Sequence, residues 1–159
     1  MNPSFSVRKI ILLAISFTLF LTISTFCFAA SISSSERKEI LDVARPVVTA
    51  VVGQPIKFIV DHLNVDSNWA ILVGGLVKEN GSPVDWSKAA SCNADLDNIL
   101  WVVLVKADGQ WRIAQMDVCA GEPPYWGMGY LWPCGVYKGL TEGERNLEVE
   151  CHREHGNSK

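Results

Sequence analysis

Several sequence patterns that would identify a function directly are missing from this chain of 159 residues. It has no C-x-x-C pair, which argues against the common structural zinc sites. It has no glycine-rich phosphate-binding loop, because Gly74-Gly75 stands alone. It also has no basic stripe, since 12 of the 14 basic residues and all 17 acidic residues follow residue 30 and give that part a net charge of −5. Such an acidic domain is a poor nucleic-acid binder, so we expect no cofactor, no metal and no nucleic-acid partner.

Acidic residues are also absent from residues 1–30, which have the composition of an export signal. Arg8 and Lys9 precede a run of 19 apolar or hydroxylated residues, and Ala29 and Ala30 follow it. This order is typical of a secretory signal peptide. We expect cleavage after Ala29 or Ala30, a mature protein that is periplasmic or secreted, and no stable membrane anchor after cleavage. The alternative is a retained anchor, because the run is just long enough to span a bilayer.

Cleavage would remove Cys27 and leave four cysteines. An even number in an exported chain predicts two disulfides, for which three pairings are possible. The pairing that closes only two short loops is favoured, and it joins Cys92 to Cys119 and Cys134 to Cys151. Cys151 also lies close to His152 and His155, but a frayed polar C-terminus explains that cluster better than a metal site does.

The periodicity of apolar residues predicts one helix followed by four strands. Ser33 and Glu36 have the spacing of a capping box, and apolar residues between 40 and 51 recur at three- and four-residue steps. From Pro55 the period changes to two, and turn sequences such as Asn80-Gly81 separate the strands. We predict a single disulfide-bonded α+β domain over residues 31–140, in which one N-terminal helix packs on a four-stranded antiparallel sheet. Residues 141–159 are predicted to be a polar, irregular C-terminal tail.

Aromatic residues among glycines and prolines form the most informative functional pattern. Tyr and Trp provide a large contact area at low entropic cost, which favours a protein- or glycan-binding surface. The alternative is a lid that covers the open end of the sheet and is held by Cys134. The two interpretations are compatible if only some of the rings are buried. The candidate binding residues are Tyr125, Trp126, Tyr130, Trp132 and Tyr137.

Two stretches resemble a group of small exported bacterial proteins of unassigned function: GQPIKFIVDHLNVDSNWAILVGG, from Gly53 to Gly75, and the hairpin that ends in WRIAQMDV. The matching motifs are Arg45-Pro46 within the helix, Gly53-Gln54-Pro55, and Trp69-Ala70 at the start of the second strand, and the likeness covers residues 36–118. The order of elements also resembles the cystatin-like and NTF2-like folds, in which a sheet curls around a helix. These motifs are structural, so the resemblance implies a fold rather than an activity.

The preferred function is an exported, non-enzymatic binding module, of which an inhibitor or immunity-type protein acting on another envelope protein is one form. Its partner is expected to be a protein outside the cytoplasm. This interpretation rests on the aromatic segment, the disulfide-bonded scaffold and the lack of a complete catalytic motif.

The first alternative is an NTF2-like small-molecule binder or enzyme with a cavity between helix and sheet. His62, which strict alternation places on one face with Phe58 and Val60, would be the general base and Asp117 its partner. The lack of any tyrosine before Tyr125 argues against steroid-isomerase chemistry on such a fold. A second alternative is a structural envelope component held by an uncleaved anchor.

Overall fold

The computed structural model describes residues 32–89, 92, 98–122 and 129–156. The predictions for the signal peptide, its cleavage and Cys27, and those for Tyr125 and Trp126, lie outside these residues. Within them the chain forms two α-helices, a four-stranded antiparallel sheet and two disulfides, as expected for the predicted α+β class. Neither helix of this part is long and apolar enough to cross a bilayer.

Helix α1 spans Ser34–Val52 and has the predicted N-terminal cap. The hydroxyl of Ser33 accepts a hydrogen bond from the backbone N–H of Glu36 at 3.1 Å. The helix ends at Gly53, whose φ of 71° is left-handed and favours glycine. Its position at the N-terminus of a mature protein depends on cleavage within residues 1–31 and stays a prediction. The buried side chains recur every four residues and comprise Ile40, Ala44, Val48 and Val52.

The four strands form a meander in the order β1-β2-β3-β4. They span Ile56–Asp66, Trp69–Lys78, Ile99–Ala107 and Gln110–Ala120. Strands β2 and β3 are central and consist largely of buried apolar residues. Strands β1 and β4 are the two edges.

A β-bulge in β1 changes which side chains face the helix. The register shifts between Val60 and His62, so Asp61 is the extra residue. Phe58 and Val60 pack against the helix-side core, whereas His62 lies on the opposite face, near Gly139. The prediction that His62 shares a face with Phe58 and Val60 is therefore wrong, because one inserted residue reverses the alternation.

The Gly53-Gln54-Pro55 motif has a structural role. Gln54 is 8% exposed, its Nε2 donates to the carbonyl of Asp85 at 2.8 Å, and its Oε1 accepts from the N–H of Asp85 at 3.2 Å. A side chain at Gly53 would approach the carbonyl oxygen of Lys88 to 2.8 Å. The motif thus connects the end of α1 to the segment that follows β2.

Helix α1 covers one face of the sheet, and the C-terminal segment covers the other. On the second face, Ile71, Val73, Trp101 and Val103 pack against buried residues from beyond position 131. Those residues are Trp132, Cys134, Val136, Tyr137, Leu140, Leu147 and Cys151. The domain is therefore three layers deep, with the sheet in the middle.

The prediction of one helix and an irregular tail is wrong for residues 141–156. Strands β5 (Thr141–Glu142) and β6 (Arg145–Asn146) form a short hairpin, and helix α2 spans Leu147–Gly156. Only Leu147 and Cys151 of α2 are buried. Because two anchors are too few to produce an apolar stripe, the periodicity of the sequence does not indicate this helix.

Both disulfides have the pairing favoured from loop length. Cys92 joins Cys119 with a Cα–Cα distance of 5.6 Å, and Cys134 joins Cys151 with one of 5.5 Å. The first disulfide attaches the segment between β2 and β3 to β4. The second attaches α2 to the 3₁₀ turn Cys134–Tyr137, so it stabilises the layer on the second face.

Candidate functional site

The aromatic segment divides into buried and exposed rings. Trp132 is 6% exposed and Tyr137 is fully buried, so the prediction that these two belong to a binding surface is wrong. Both lie in the core of the second face, as the lid interpretation expects. Tyr130 is half-buried at the edge of that core, and it is the described ring that reaches solvent in this segment.

Contacts among the three rings hold the segment in one conformation. Tyr130 meets Tyr137 edge to face with ring centroids 5.4 Å apart, and Trp132 lies 6.1 Å from Tyr137. The hydroxyl oxygen of Tyr137 accepts a hydrogen bond from the backbone N–H of Trp132 at 3.4 Å. Tyr137 is thus the centre of the cluster, and it is placed there by the 3₁₀ turn that begins at Cys134.

Two polar side chains of β1, which sequence reasoning missed, fasten this segment to the sheet. Asn64 donates from Nδ2 to the carbonyls of Val136 at 3.0 Å and Lys138 at 2.6 Å. Asp66 accepts from the backbone N–H of Gly135 at 2.9 Å. The alternate polar residues at positions 62, 64 and 66 were the available signal, since they mark one face of the strand.

Leu131 lies on this firmly held segment and is 63% exposed. Its neighbour Tyr130 has a raised pKa, first because burial disfavours the charged form and then because Glu150 and Glu154 are close. Glu142 acts in the same direction and Arg145 opposes it. Tyr130 and Leu131, which we call the Tyr130–Leu131 surface, thus form an apolar patch beside carboxylates.

The structure does not bring His62 and Asp117 together. His62 pairs with Val73, Val73 with Trp101, and Trp101 with Asp117. Three strand spacings separate the ends of this row by about 14 Å. The carboxylate of Asp117 instead accepts from the backbone N–H of Cys119 at 3.1 Å. A general base oriented by its partner would need hydrogen-bond distance, which this arrangement lacks.

The space between α1 and the centre of the sheet is filled by side chains. Ile40, Ala44 and Val48 are fully buried against Leu72 and Val102. An opening of roughly 440 Å³ lies at the margin, where Glu39, Asp42 and Val43 of α1 face Gly109, Gln110 and Trp111 of the β3–β4 hairpin. A second opening of roughly 340 Å³ lies on the other face beside His62 and Thr141.

Among the described residues, one group of metal-ligating side chains converges, and it comprises Cys134, Cys151 and His155. The Nδ1 atom of His155 lies 3.6 Å from Sγ of Cys134 and 3.9 Å from Sγ of Cys151. In the disulfide form the two sulfur atoms are bonded to each other and are not metal ligands. The exposed imidazole therefore borders a buried disulfide.

Comparisons of this chain with protein-family models, curated proteins and solved structures found no match. The resemblance to small exported bacterial proteins and to the cystatin-like and NTF2-like folds therefore stays a prediction. The functional conclusion depends on the geometry of the chain itself.

The buried hydroxyl of Tyr137 predicts a dependence of stability on alkaline pH. Burial raises its pKa above the ordinary value of about 10. The neutral hydroxyl thus stabilises the fold below about pH 10, and this contribution is lost as pH rises through the folded-state pKa. We expect the free energy of unfolding of the wild type to fall more steeply above about pH 10 than that of Tyr137→Phe, in urea denaturation at several pH values followed by circular dichroism. Equal slopes in the two proteins would contradict this effect.

Proposed function

We propose that this protein is an exported, non-enzymatic binding module that contacts another protein outside the cytoplasm. The observation that supports it best is the 63% exposure of Leu131, on a segment held by a disulfide and by hydrogen bonds to β1. A large apolar side chain on a rigid segment loses little conformational entropy when it binds. An inhibitor or immunity-type protein acting on another envelope protein is the form that we propose.

The Tyr130–Leu131 surface has the composition of an interaction hot spot. Tyrosine is enriched at such sites because it combines a large ring with a hydroxyl group. The ring of Tyr130 is braced from behind by Tyr137 at 5.4 Å, which preorganises it for contact. The neighbouring Glu150 and Glu154 add negative charge, so we propose that the partner presents an apolar residue next to a basic one.

Export is part of the same proposal. We propose that residues 1–30 are removed, which would place α1 near the start of a mature periplasmic or secreted protein. Two disulfides and the lack of a membrane-spanning helix within the described ranges are compatible with this compartment. The disulfides support the proposal because structural disulfides persist in oxidising compartments.

The test compares Leu131→Asp with Val47→Asp in partner capture. Val47 is 43% exposed on α1, in the layer across the sheet from Leu131, and provides a matched control. We expect Leu131→Asp to weaken binding of the captured protein at least tenfold, because a hot spot contributes about 2 kcal/mol or more. Both variants should keep the free energy of unfolding within about 0.5 kcal/mol of the wild type, since both positions are exposed.

The measurements are titration calorimetry with the captured partner and thermal denaturation of each protein, recovered from the periplasmic or secreted fraction. Wild-type affinity in Leu131→Asp, or equal loss in Val47→Asp, would contradict the proposed surface. Recovery only from the cytoplasm would contradict the proposed location.

A small-molecule binder is the second candidate, and Trp111 is the observation that favours it. Its indole Nε1 is buried with no hydrogen-bond partner within the described residues, and the residue lines the opening between α1 and the β3–β4 hairpin. Unpaired buried donors are rare in folded proteins. A ligand with an acceptor group would relieve this one.

A further inference from the structure

Three side chains from two separate elements meet at the C-terminal layer. Cys134 begins the 3₁₀ turn, while Cys151 and His155 lie four residues apart on α2 and therefore share one face of that helix. Cys134 and Cys151 are buried, and His155 is exposed. The exposed imidazole thus contacts two sulfur atoms that are themselves buried.

The distances fit a tetrahedral zinc ion. Bonds of about 2.3 Å to sulfur and about 2.0–2.1 Å to nitrogen place the nitrogen about 3.6 Å from each sulfur. The Nδ1 atom of His155 lies 3.6 Å from Sγ of Cys134 and 3.9 Å from Sγ of Cys151. After reduction, the two sulfurs would have to separate to about 3.8 Å, the distance between two ligands of a tetrahedral site with bonds of about 2.3 Å.

We propose that the reduced chain binds one Zn²⁺ through the thiolates of Cys134 and Cys151 and through Nδ1 of His155. Each of the two thiols releases its proton to solvent when the ion binds, and no oxidation or reduction takes place. Water occupies the fourth position, as it does in zinc sites with three protein ligands. The thiols are free in the newly made chain, before the disulfide forms.

Zinc and the disulfide are mutually exclusive at this site. Formation of the bond between Cys134 and Cys151 by a disulfide-bearing oxidant removes both sulfur ligands and releases the ion, while the oxidant is reduced to its dithiol. The zinc ion in the reduced form and the disulfide in the oxidised form would each attach α2 to the second face of the sheet. That attachment matters because α2 contributes only Leu147 and Cys151 to the core, so the ion would hold the helix in place before oxidation.

The test uses the mature chain, reduced with a phosphine and kept without oxygen, and titrates it with Co²⁺ and then with Zn²⁺. We expect one Co²⁺ per chain, with a thiolate charge-transfer band and intense visible bands of tetrahedral cobalt that Zn²⁺ abolishes. His155→Ala should weaken Zn²⁺ affinity at least tenfold. His152→Ala is the matched control, because residue 152 directly follows Cys151 and faces about 100° away around α2, and it should bind as the wild type does.

Alkylation of the same reduced protein locates the ion without any substitution. Bound Zn²⁺ should protect Cys134 and Cys151 from iodoacetamide, as read by mass spectrometry, while Cys92 and Cys119 react as in the metal-free chain. Protection of the other pair, equal weakening by both histidine substitutions, or an octahedral cobalt spectrum would each overturn the proposal. Lack of binding by a reduced chain that keeps its helical circular dichroism would overturn it as well.

Discussion

Replacing Gly74 by alanine is expected to lower the free energy of unfolding by about 3 kcal/mol or more. A Cβ atom at this position would lie 2.0 Å from the carbonyl oxygen of Ile59 and 3.2 Å from the backbone nitrogen of Asp61. These atoms belong to the backbone of β1 at its bulge, so no side-chain rotation can relieve the clash. Strand β1 would have to move away from β2, which would break ladder hydrogen bonds and uncover the helix-side core.

Gly75→Ala is the matched control, because it lies next in the same strand and a Cβ there would meet nothing within 4 Å. We expect it to change stability by less than about 1 kcal/mol. Urea denaturation and thermal melting measure both variants, and a loss of about 3 kcal/mol corresponds to a melting temperature lower by roughly 10 °C. Similar losses in the two variants would show that the close approach of β1 at Gly74 does not matter.

Tyr137→Ala is expected to lower the free energy of unfolding by about 3–5 kcal/mol. The side chain is fully buried, and its ring contacts those of Tyr130 and Trp132. Its removal would leave a cavity at the centre of the second face, among buried residues that include Trp132, Val136 and Leu140. Denaturant titration measures the loss, and proteolysis should show earlier cleavage in residues 129–140.

Tyr137→Phe keeps the aromatic ring and removes the hydroxyl group, so it measures the contribution of the hydroxyl group to stability. It loses the hydrogen bonds that the hydroxyl accepts from the backbone N–H groups of Trp132, at 3.4 Å, and Leu131, so we expect a cost of about 1 kcal/mol at neutral pH. If Tyr137→Ala kept its stability and lost partner affinity instead, Tyr137 would belong to the binding surface and the lid interpretation would fail.

Local sequence patterns were sufficient to predict helix α1, which forms the first layer, and most of the four-stranded sheet, which forms the second. The helix cap at Ser33 and the turn at Asn80-Gly81 depend on neighbours within a few residues, and each has a characteristic sequence. The strands of the meander alternate or run apolar according to their burial. The two observed disulfides have the pairing that loop length favoured among three possible ones, and only the structure shows that the fold brings these cysteines close.

The bulge shows where such patterns stop being sufficient. The extra residue is Asp61 of β1, and the glycine that accommodates it is Gly74 of the paired strand β2. The glycine is needed because the bulged backbone of the neighbour approaches it, and this approach leaves no mark near Asp61 in the sequence. One extra residue then reversed the face of His62 and separated it from Phe58.

The sequence alone therefore predicts the class of the fold and the helix and strands of the first two layers, because each of these depends on short-range spacing, and it favours the observed cysteine pairs over two alternative pairings. The tertiary structure alone establishes that Trp132 and Tyr137 are buried, that residues 147–156 form a helix, and that His155 meets the cysteine pair of the C-terminal layer. Those features depend on contacts between distant segments. The free energy of such contacts comes from burial against a partner surface, and the periodicity of one segment does not reveal which surface its partner provides.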